Sequence, residues 1–476
     1  TLNKSPIELS LSDFFGNSPK TIMNDSTINF RFKNLNYKSE HLNDYLINVL
    51  SLESVACKDW LTNKVDRCVT GKVAKQQCVG PLQLPLNNCG VMALDYNGIN
   101  GVATSIGHSP ITALIDPSTG SRNAIGKALT NIIWAPLEKG LKSVTLSANW
   151  MWPCNNEGED ARLYKAVEAV SEFAIDLGIN VPTGKDSLSM KQKYPNEEVI
   201  APGTVIISAA ANCTDITNVI EPVFQKGSGN IYYINISQDH YKLGGSSFSQ
   251  VVNKIGNETT NVQDATYVKT VFNTIQKLIK QHKIAAGHDV ASGGLITTLL
   301  EMCFANNNVG AELDLTALTE KDSLKMLFAE NAGIVIQSKN DSIENLLKDA
   351  QIEFFNIGKV TESDVLSIIN GTDVFTMTVS RLRDMWYKTS YLLDQKQTSN
   401  GLATERFNNY KNQPLQYKFP SHFTGKLKDV IASGTKQSVS KDEIASSQTP
   451  RNEGKRPKAA IIREKGSNSE REMANA

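Results

Sequence analysis

A glycine-rich segment at residues 287–295, Gly-His-Asp-Val-Ala-Ser-Gly-Gly-Leu, contains residue types suited to binding phosphate. Gly293 and Gly294 directly precede a predicted helix, and the free N–H groups and dipole of a helix N-terminus attract anions. Asp289 could hold a hydrated magnesium ion, which usually takes one or two protein carboxylates together with phosphate oxygens. In the alternative interpretation Asp289 only caps a turn and His288 packs in the interior. The segment by itself favours neither interpretation.

A second polar segment, residues 184–190, has the sequence Gly-Lys-Asp-Ser-Leu-Ser-Met. We predict a short loop in which Gly184 lets the backbone approach an anion, Lys185 supplies a charge and Ser187 supplies a donor. The second glycine and the spacing of a Walker loop are missing. An ordinary polar loop is therefore the alternative.

Other candidate side chains lie on predicted helices and turns. Lys127 and Asn131 are one helical turn apart, so both project from the same face of a predicted helix. Trp150 and Trp152 surround a predicted short turn, where packing in a core or interface is the usual role and stacking on a base is the alternative. His108 is most simply a turn residue.

The cysteines argue against a disulfide framework or a zinc site. They are odd in number, scattered, and form no C-x-x-C pair: Cys57, Cys68, Cys78, Cys89, Cys154, Cys213 and Cys303. This usage favours a reducing compartment. We expect most of them to be small buried hydrophobic residues.

Composition bounds the class of protein. The chain has 476 residues, which is too many for one hydrophobic core and predicts two to four domains. Lys plus Arg equals Asp plus Glu at 49 each, so no broad basic surface is expected for nucleic acid or anionic membrane. We find neither a run of roughly 20 apolar residues nor the pattern of a secretory signal. Because the chain lacks an initiator Met, its N-terminus could be an artificial or processed edge.

Hydrophobic patterning predicts two α/β units. In residues 162–177 the apolar residues recur at spacings of three and four, which predicts a helix with one buried face, and Gly178 is expected to end it. Further helices are predicted at residues 267–279 and 295–305, and strands at residues 90–94, 204–211, 231–236, 333–337 and 374–379.

Polar stretches flank the two units. The first 55 residues or so are predicted to be a connector, with helical spacing only at 41–55, and residues 395–456 to be a linker. Residues 458–463 resemble a first buried strand followed by a helix start. A lone strand and partial helix cannot bury a core, so we expect the chain to be cut at the beginning of a further domain.

Several segments together resemble one enzyme family. Their positions are 66–71, 79–85, 128–131, 147–150, 184–190, 288–289 with 293–295, 382–390, and 463–468 with 472–474. In this order they resemble the large, single-chain form of phosphoribosylformylglycinamidine synthase, also called formylglycinamide ribonucleotide amidotransferase. The resemblance runs from about residue 60 to the end of the chain.

The resemblance implies an α/β (α+β) fold with subdomains similar to those of aminoimidazole ribonucleotide synthetase. The implied organisation is a connector at 1–58, an N-terminal subdomain at 59–220, a C-terminal subdomain at 221–392, a linker at 393–456 and the truncated start of a class I glutaminase domain at 457–476.

The resemblance also implies an activity. Members of the family are ATP- and glutamine-dependent ligases that convert formylglycinamide ribonucleotide into formylglycinamidine ribonucleotide in de novo purine synthesis. This chain resembles the second of two synthetase halves, so the catalytic ATP site is expected in the first half and no catalytic residue in this segment. The implied partners are the first half and the glutaminase domain, which supplies ammonia. Neither nucleic acid nor membrane is an expected partner, and the expected location is cytoplasmic.

In this family the second half holds an auxiliary nucleotide. The resemblance places ATP or ADP at residues Asn87, Lys185, Asp186, Ser187, Ala291, Ser292, Gly293 and Gly294. It places Mg²⁺ at Asn88, Asn131 and Asp289, with Lys127 at the fourth ligand position.

Three of these positions depart from the family pattern. Asn88 replaces an aspartate, Lys127 replaces a glutamate, and Ala291 replaces a serine. Magnesium beside an ammonium group is unfavourable. We therefore hypothesise that Mg-nucleotide binds weakly, or that the Lys127 ammonium occupies a metal position and contacts phosphate. The alternative is that Lys127 turns to solvent and the site is simply degraded.

Three functions are compatible with these observations. The first is a part of the amidine-forming ligase, and the second is a non-catalytic nucleotide-binding scaffold. If the isolated chain forms product from ammonia, ATP and the formamide substrate, the second is excluded. The third is an independent synthetase or kinase of the same superfold, against which the glutaminase-like start at residue 458 argues.

Overall fold

The computed structural model describes residues 9–12, 16, 22–23, 25–62, 65, 67–340 and 343–415. The predicted strand at 458–463 and most of the predicted linker lie outside these residues. The helices are α1 (Leu42–Ser51), α2 (Asp59–Thr62), α3 (Pro110–Ile115), α4 (Pro117–Ile132), α5 (Glu159–Leu177), α6 (Ser247–Val251), α7 (Ala265–Lys280), α8 (Gly294–Phe304), α9 (Ser323–Phe328), α10 (Ile343–Asp349), α11 (Val379–Gln395) and α12 (Leu402–Asn409).

The described residues form fifteen strands, and the five strands predicted from the sequence agree closely with five of them. They are β1 (Val73–Lys75), β2 (Gly90–Ala93), β3 (Gly101–Gly107), β4 (Thr145–Met151), β5 (Asn180–Ser187), β6 (Lys191–Lys193), β7 (Glu198–Ile200), β8 (Thr204–Cys213), β9 (Ile231–Asn235), β10 (Ile284–Val290), β11 (Gly310–Asp314), β12 (Gly333–Ser338), β13 (Phe355–Thr361), β14 (Val365–Asn370) and β15 (Asp373–Thr378). Single 3₁₀ turns occur at Ser39–His41, Val69–Gly71, Gly140–Ser143, Thr316–Leu318 and Tyr410–Asn412.

The first sheet has six strands in the order β1-β2-β3-β8-β4-β5. All neighbours are antiparallel except β4 and β5, which are parallel and connected through α5. Strand β3 alternates between buried and exposed residues, as expected for a sheet with one covered face. Helices α4 and α5 pack on each other, and α4 also packs on β3 and β8.

The second sheet has seven strands in the order β10-β12-β9-β13-β11-β14-β15. It is antiparallel except for the pair β11 and β14. Strand β12 is buried along its whole length, because it is a central strand covered on both faces. The two sheets share a hydrophobic core that includes α4, α5 and α7, so the subdomains form one packed body.

Helix α5 confirms the clearest of the helix predictions. Its residues Val170, Phe173, Ala174 and Leu177 are buried on one face. Gly178 ends the helix in the left-handed conformation with φ of 71°, and its N–H donates a hydrogen bond to the carbonyl of Ile175 in the last turn at 2.9 Å.

Two stretches predicted to be connector and linker contain packed helices, of which the first was indicated by its helical spacing. Helix α1 lies within the predicted connector, at the place of its helical spacing. It buries four residues, Leu42, Leu46, Val49 and Leu50, in a second hydrophobic core, which also contains residues of α8 and α11. The predicted linker begins with the end of α11 and with α12, and the ring of Tyr410 stacks on Tyr387 at 4.3 Å. Both stretches are therefore packed parts of the fold.

Two predicted turns are wrong. Residues 184–187 belong to β5, whose position at the sheet edge leaves most of its side chains exposed, so a strand had the polar texture of a loop. Trp150 belongs to β4, and Trp152 follows it fully buried. In the part of the chain that the structure describes, no helix is both long and apolar enough to cross a membrane.

Candidate functional site

The predicted phosphate and metal residues meet where β10, α8, α4 and the start of β2 come together. His288 and Asp289 lie at the end of β10, and both are buried. Asn131 in α4 donates an amide hydrogen bond to Asp289 Oδ1 at 3.3 Å. Asn88, just before β2, donates to the carbonyl of Gly287 at 2.9 Å. The structure thus brings together all three predicted metal ligands, which come from distant parts of the sequence.

His288 lies at the centre of this cluster. Its Nδ1 is 2.5 Å from Asn88 Oδ1 and 3.5 Å from Asp289 Oδ1, and its Nε2 is 3.0 Å from Glu301 Oε2. Burial lowers the pKa of His288, but hydrogen bonds to Asp289 and Glu301 and the charges of both carboxylates outweigh it and raise the pKa to about 9. A protonated ring can donate from Nδ1 to Asn88 Oδ1 and from Nε2 to Glu301 Oε2 at the same time.

Glu330 is a site residue that sequence reasoning missed. It lies between α9 and β12, and its Oε1 accepts hydrogen bonds from Gly293 N at 2.9 Å, Ser247 N at 2.8 Å and Ser247 Oγ at 2.7 Å. Gly293 is the N-cap residue directly before α8, with φ of 90°. A carboxylate therefore sits at the helix N-terminus where we predicted phosphate. No motif marks Glu330 in the sequence, and only the packing of the segment that carries it places it here.

Lys127 does not turn to solvent. Its Nζ lies 3.6 Å from Glu330 Oε2, and the two side chains are only 14% and 11% exposed. Lys127 and Asn131 project from the same face of α4, as predicted, so one helical turn separates the ion pair from the Asp289 contact.

The residues present do not fit a Mg-nucleotide. Among the carboxylate and amide groups predicted to bind the metal, Asn88 and Asp289 already contact His288, while the Asn131 amide donates to Asp289. Lys127 places a cation at the fourth position. In the part of the chain that the structure describes, no group of three or more His, Cys, Asp or Glu side chains is arranged to hold a metal ion.

The remaining predicted nucleotide residues lie in other surroundings. Lys185 and Asp186 are on the exposed edge strand β5, where Lys185 Nζ donates to Ser187 Oγ at 3.1 Å. The amide of Asn87 donates to the carbonyl of Gln76. Ala291 and Ser292 are half-buried in the turn before Gly293 and Gly294. Their assignment to a nucleotide stays a prediction.

Comparison with known proteins gives the family. A model described as the FGAR-AT PurM_N-like domain matches residues 57–212, and one described as the C-terminal domain of AIR synthase related proteins matches residues 232–370. The chain is 37% identical to a probable phosphoribosylformylglycinamidine synthase, chloroplastic/mitochondrial, of Arabidopsis thaliana over 99% of its own length and 32% of that protein. It is 37% identical to phosphoribosylformylglycinamidine synthase of Homo sapiens over 90% of its length and 31% of that protein.

The chain belongs to the phosphoribosylformylglycinamidine synthase family. It spans about a third of the length of the curated relatives it matches. The predicted family is therefore confirmed, and so is the fold class of aminoimidazole ribonucleotide synthetase-like subdomains. The glutaminase start lies outside the described residues and stays a prediction.

Solved structures of PurL have the same fold as this chain. Thermotoga maritima PurL complexed with FGAR aligns at a TM-score of 0.55 and 14% identity, covering 72% of this chain and 53% of that chain. The same protein complexed with ADP aligns at a TM-score of 0.52 and 14% identity, covering 72% of this chain and 51% of that chain.

Proposed function

We propose that this chain is the second synthetase half of an ATP- and glutamine-dependent ligase that converts formylglycinamide ribonucleotide into formylglycinamidine ribonucleotide. The observation that carries the proposal is the 37% identity to the Arabidopsis synthase, which extends over 99% of the chain. The order of the two matched domains, N-terminal then C-terminal, is that of one complete synthetase half.

The chemistry explains why the enzyme needs ATP. The oxygen of a formamide group is a poor leaving group, so transferring a phosphoryl group to it lets ammonia displace it. A magnesium ion bound with ATP neutralises the charge of the transferring phosphoryl group. The Thermotoga maritima complexes with FGAR and ADP are consistent with these substrates. We propose that the reacting groups belong to the rest of the enzyme and that this chain positions them.

The open face of the first sheet supports this positioning role. It forms a groove of about 1040 Å³ that is lined by residues of β2, β3, β4 and β8, by the predicted site residues Asn87, Asn88 and Asn131, and by the cationic Lys58, Lys75 and Arg67. Both Ile106 on β3, which is 60% exposed, and Met92 on β2, which is 40% exposed, line this groove. Exposed apolar surface of this kind marks a protein interface. We propose that the first synthetase half covers this face.

Two assays together test the proposal. The isolated chain, supplied with ammonia, ATP and formylglycinamide ribonucleotide, is expected to form no product. A chimera of the human synthase in which this chain replaces the aligned third is expected to form product from both ammonia and glutamine. A folded but inactive chimera would contradict the assignment, and product from the isolated chain would contradict the positioning role.

The cellular location and the ligands of this half remain proposals. A cytoplasmic location stays a prediction, because the Arabidopsis relative is named chloroplastic/mitochondrial. We propose ATP, glutamine-derived ammonia and Mg²⁺ as reactants and cofactor of the complete enzyme.

A further inference from the structure

We infer that two positions of the predicted auxiliary nucleotide site are taken by this chain's own side chains, the phosphate position by the Glu330 carboxylate and a metal position by the Lys127 ammonium. The inference rests on the proposed function only in treating this cleft as the family's auxiliary site. Its consequence is that an internal ion pair, and not a Mg-nucleotide, joins the two subdomains here.

The anion position is fully occupied. Glu330 Oε1 accepts three hydrogen bonds, two from backbone N–H groups and one from the Ser247 hydroxyl. One of these N–H groups belongs to Gly293 at the start of the eleven-residue helix α8. A phosphate at this helix N-terminus would compete with a carboxylate that is already held by charge-assisted hydrogen bonds.

The paired glycines have a structural role that needs no phosphate. A Cβ on Gly294 would lie 2.6 Å from the backbone carbon of Phe328 and 2.7 Å from the carbonyl oxygen of Leu327. Gly294 also has φ of 74°, which favours glycine. The glycine therefore lets the chain that carries Glu330 approach the start of α8. The close approach of the Leu327–Phe328 backbone therefore explains why glycine is needed at position 294, where the sequence had predicted a phosphate-binding loop.

The cation position is occupied from the other subdomain. Lys127 comes from α4, which covers the first sheet, whereas Glu330, Ser247 and Gly293 belong to the C-terminal subdomain. The pair is largely shielded from water, so solvent screens it less than an exposed pair. Removing either charge would leave the other without its partner in a mostly buried position.

Calorimetric titration of the full-length chain with Mg-ADP tests the occupancy. We expect no saturable heat for the wild type, corresponding to a dissociation constant above about 1 mM. Binding that survives Asp289→Ala would lie elsewhere and would leave this site closed, as expected. Saturable wild-type binding that Asp289→Ala abolishes would overturn the inference.

A double-mutant cycle tests whether the Lys127–Glu330 ion pair links the two subdomains. Lys127→Met and Glu330→Gln are each expected to lower the melting temperature by about 2 °C or more. The double variant should fall by clearly less than the sum, because each single change leaves an unpaired charge. The exposed pair Lys359–Glu312, with side chains 67% and 65% exposed, is the matched control and should give additive, small shifts.

The two assays separate this inference from the proposed function. Additive shifts at Lys127 and Glu330 would show that the pair does not couple the subdomains and would overturn the link. Neither result bears on whether the chimera forms formylglycinamidine ribonucleotide.

Discussion

Arg406 in α12 holds Asp59 in α2 with two hydrogen bonds, from Nε to Oδ2 at 2.6 Å and from Nη2 to Oδ1 at 2.7 Å. The Asp59 side chain is only 5% exposed, whereas that of Arg406 is 44% exposed. This fork joins the end of the described chain to the beginning of the N-terminal subdomain. The α12 segment, which its polar sequence predicted to be linker, is thereby fixed to the folded body.

Replacing Arg406 should show how much its contact with Asp59 contributes to stability and how much of that depends on its two-pronged geometry. We expect Arg406→Met to lower the free energy of unfolding by about 1–3 kcal/mol, because it leaves the buried Asp59 carboxylate without its charged donor. Arg406→Lys should lose less, since it keeps the charge but not the two-pronged geometry. Urea denaturation followed by circular dichroism measures both. Equal stability of Arg406→Met and wild type would contradict the anchoring role.

The limits of sequence reasoning follow from which contacts are local. Gly293 and Gly294 before a helix, and Lys127 with Asn131 on one helix face, were predictable because the relevant geometry lies within a few residues. The contact of Glu330 with Lys127 depends on how two subdomains pack, and no local pattern encodes it. The polar pattern of β5 was misleading because an edge strand exposes most of its side chains.

A pair of glycine substitutions separates backbone strain from close packing. Gly178 and Gly294 have similar φ values of 71° and 74°, but a Cβ on Gly178 would meet nothing within 4 Å. Gly178→Ala should therefore destabilise by about 1 kcal/mol through strain alone. Gly294→Ala should destabilise by about 3 kcal/mol or more, because its methyl group would also clash with the backbone of Phe328.

Urea denaturation of both variants under identical conditions measures the difference. Gly178→Ala is the matched control, since it carries the same change at a helix end with open space around it. Equal destabilisation would mean that the segment carrying Glu330 can move away from α8.

Thiol reactivity should distinguish one cysteine from the other six. Cys68 is exposed, whereas the others are buried. Burial raises the pKa of Cys89 and of Cys154 to about 12 and also raises the pKa of Cys57, Cys78, Cys213 and Cys303. Since a raised pKa leaves less of the reactive thiolate at pH 8, those six should react slowly.

Titration of the native chain with a disulfide reagent at pH 8 should show one fast-reacting thiol. Cys68→Ser should remove the fast phase, and denaturant should release the remaining thiols. More than one fast phase in the native wild type would mean that a buried cysteine becomes accessible.

The open face of the first sheet should mediate self-association of the isolated chain. Without its partner half, the wild type is expected to self-associate through this face. Ile106→Asp should weaken the self-association constant about 10- to 100-fold, because burying an isoleucine side chain contributes about 1.5–3 kcal/mol. Ile175→Asp is the matched control, since Ile175 is 72% exposed on α5, away from the open face. Sedimentation velocity at several concentrations measures both variants.

Because the same face is proposed to bind the first half, Ile106→Asp should also lower the activity of the chimera, whereas Ile175→Asp should not. Equal effects of the two substitutions would place the interface elsewhere.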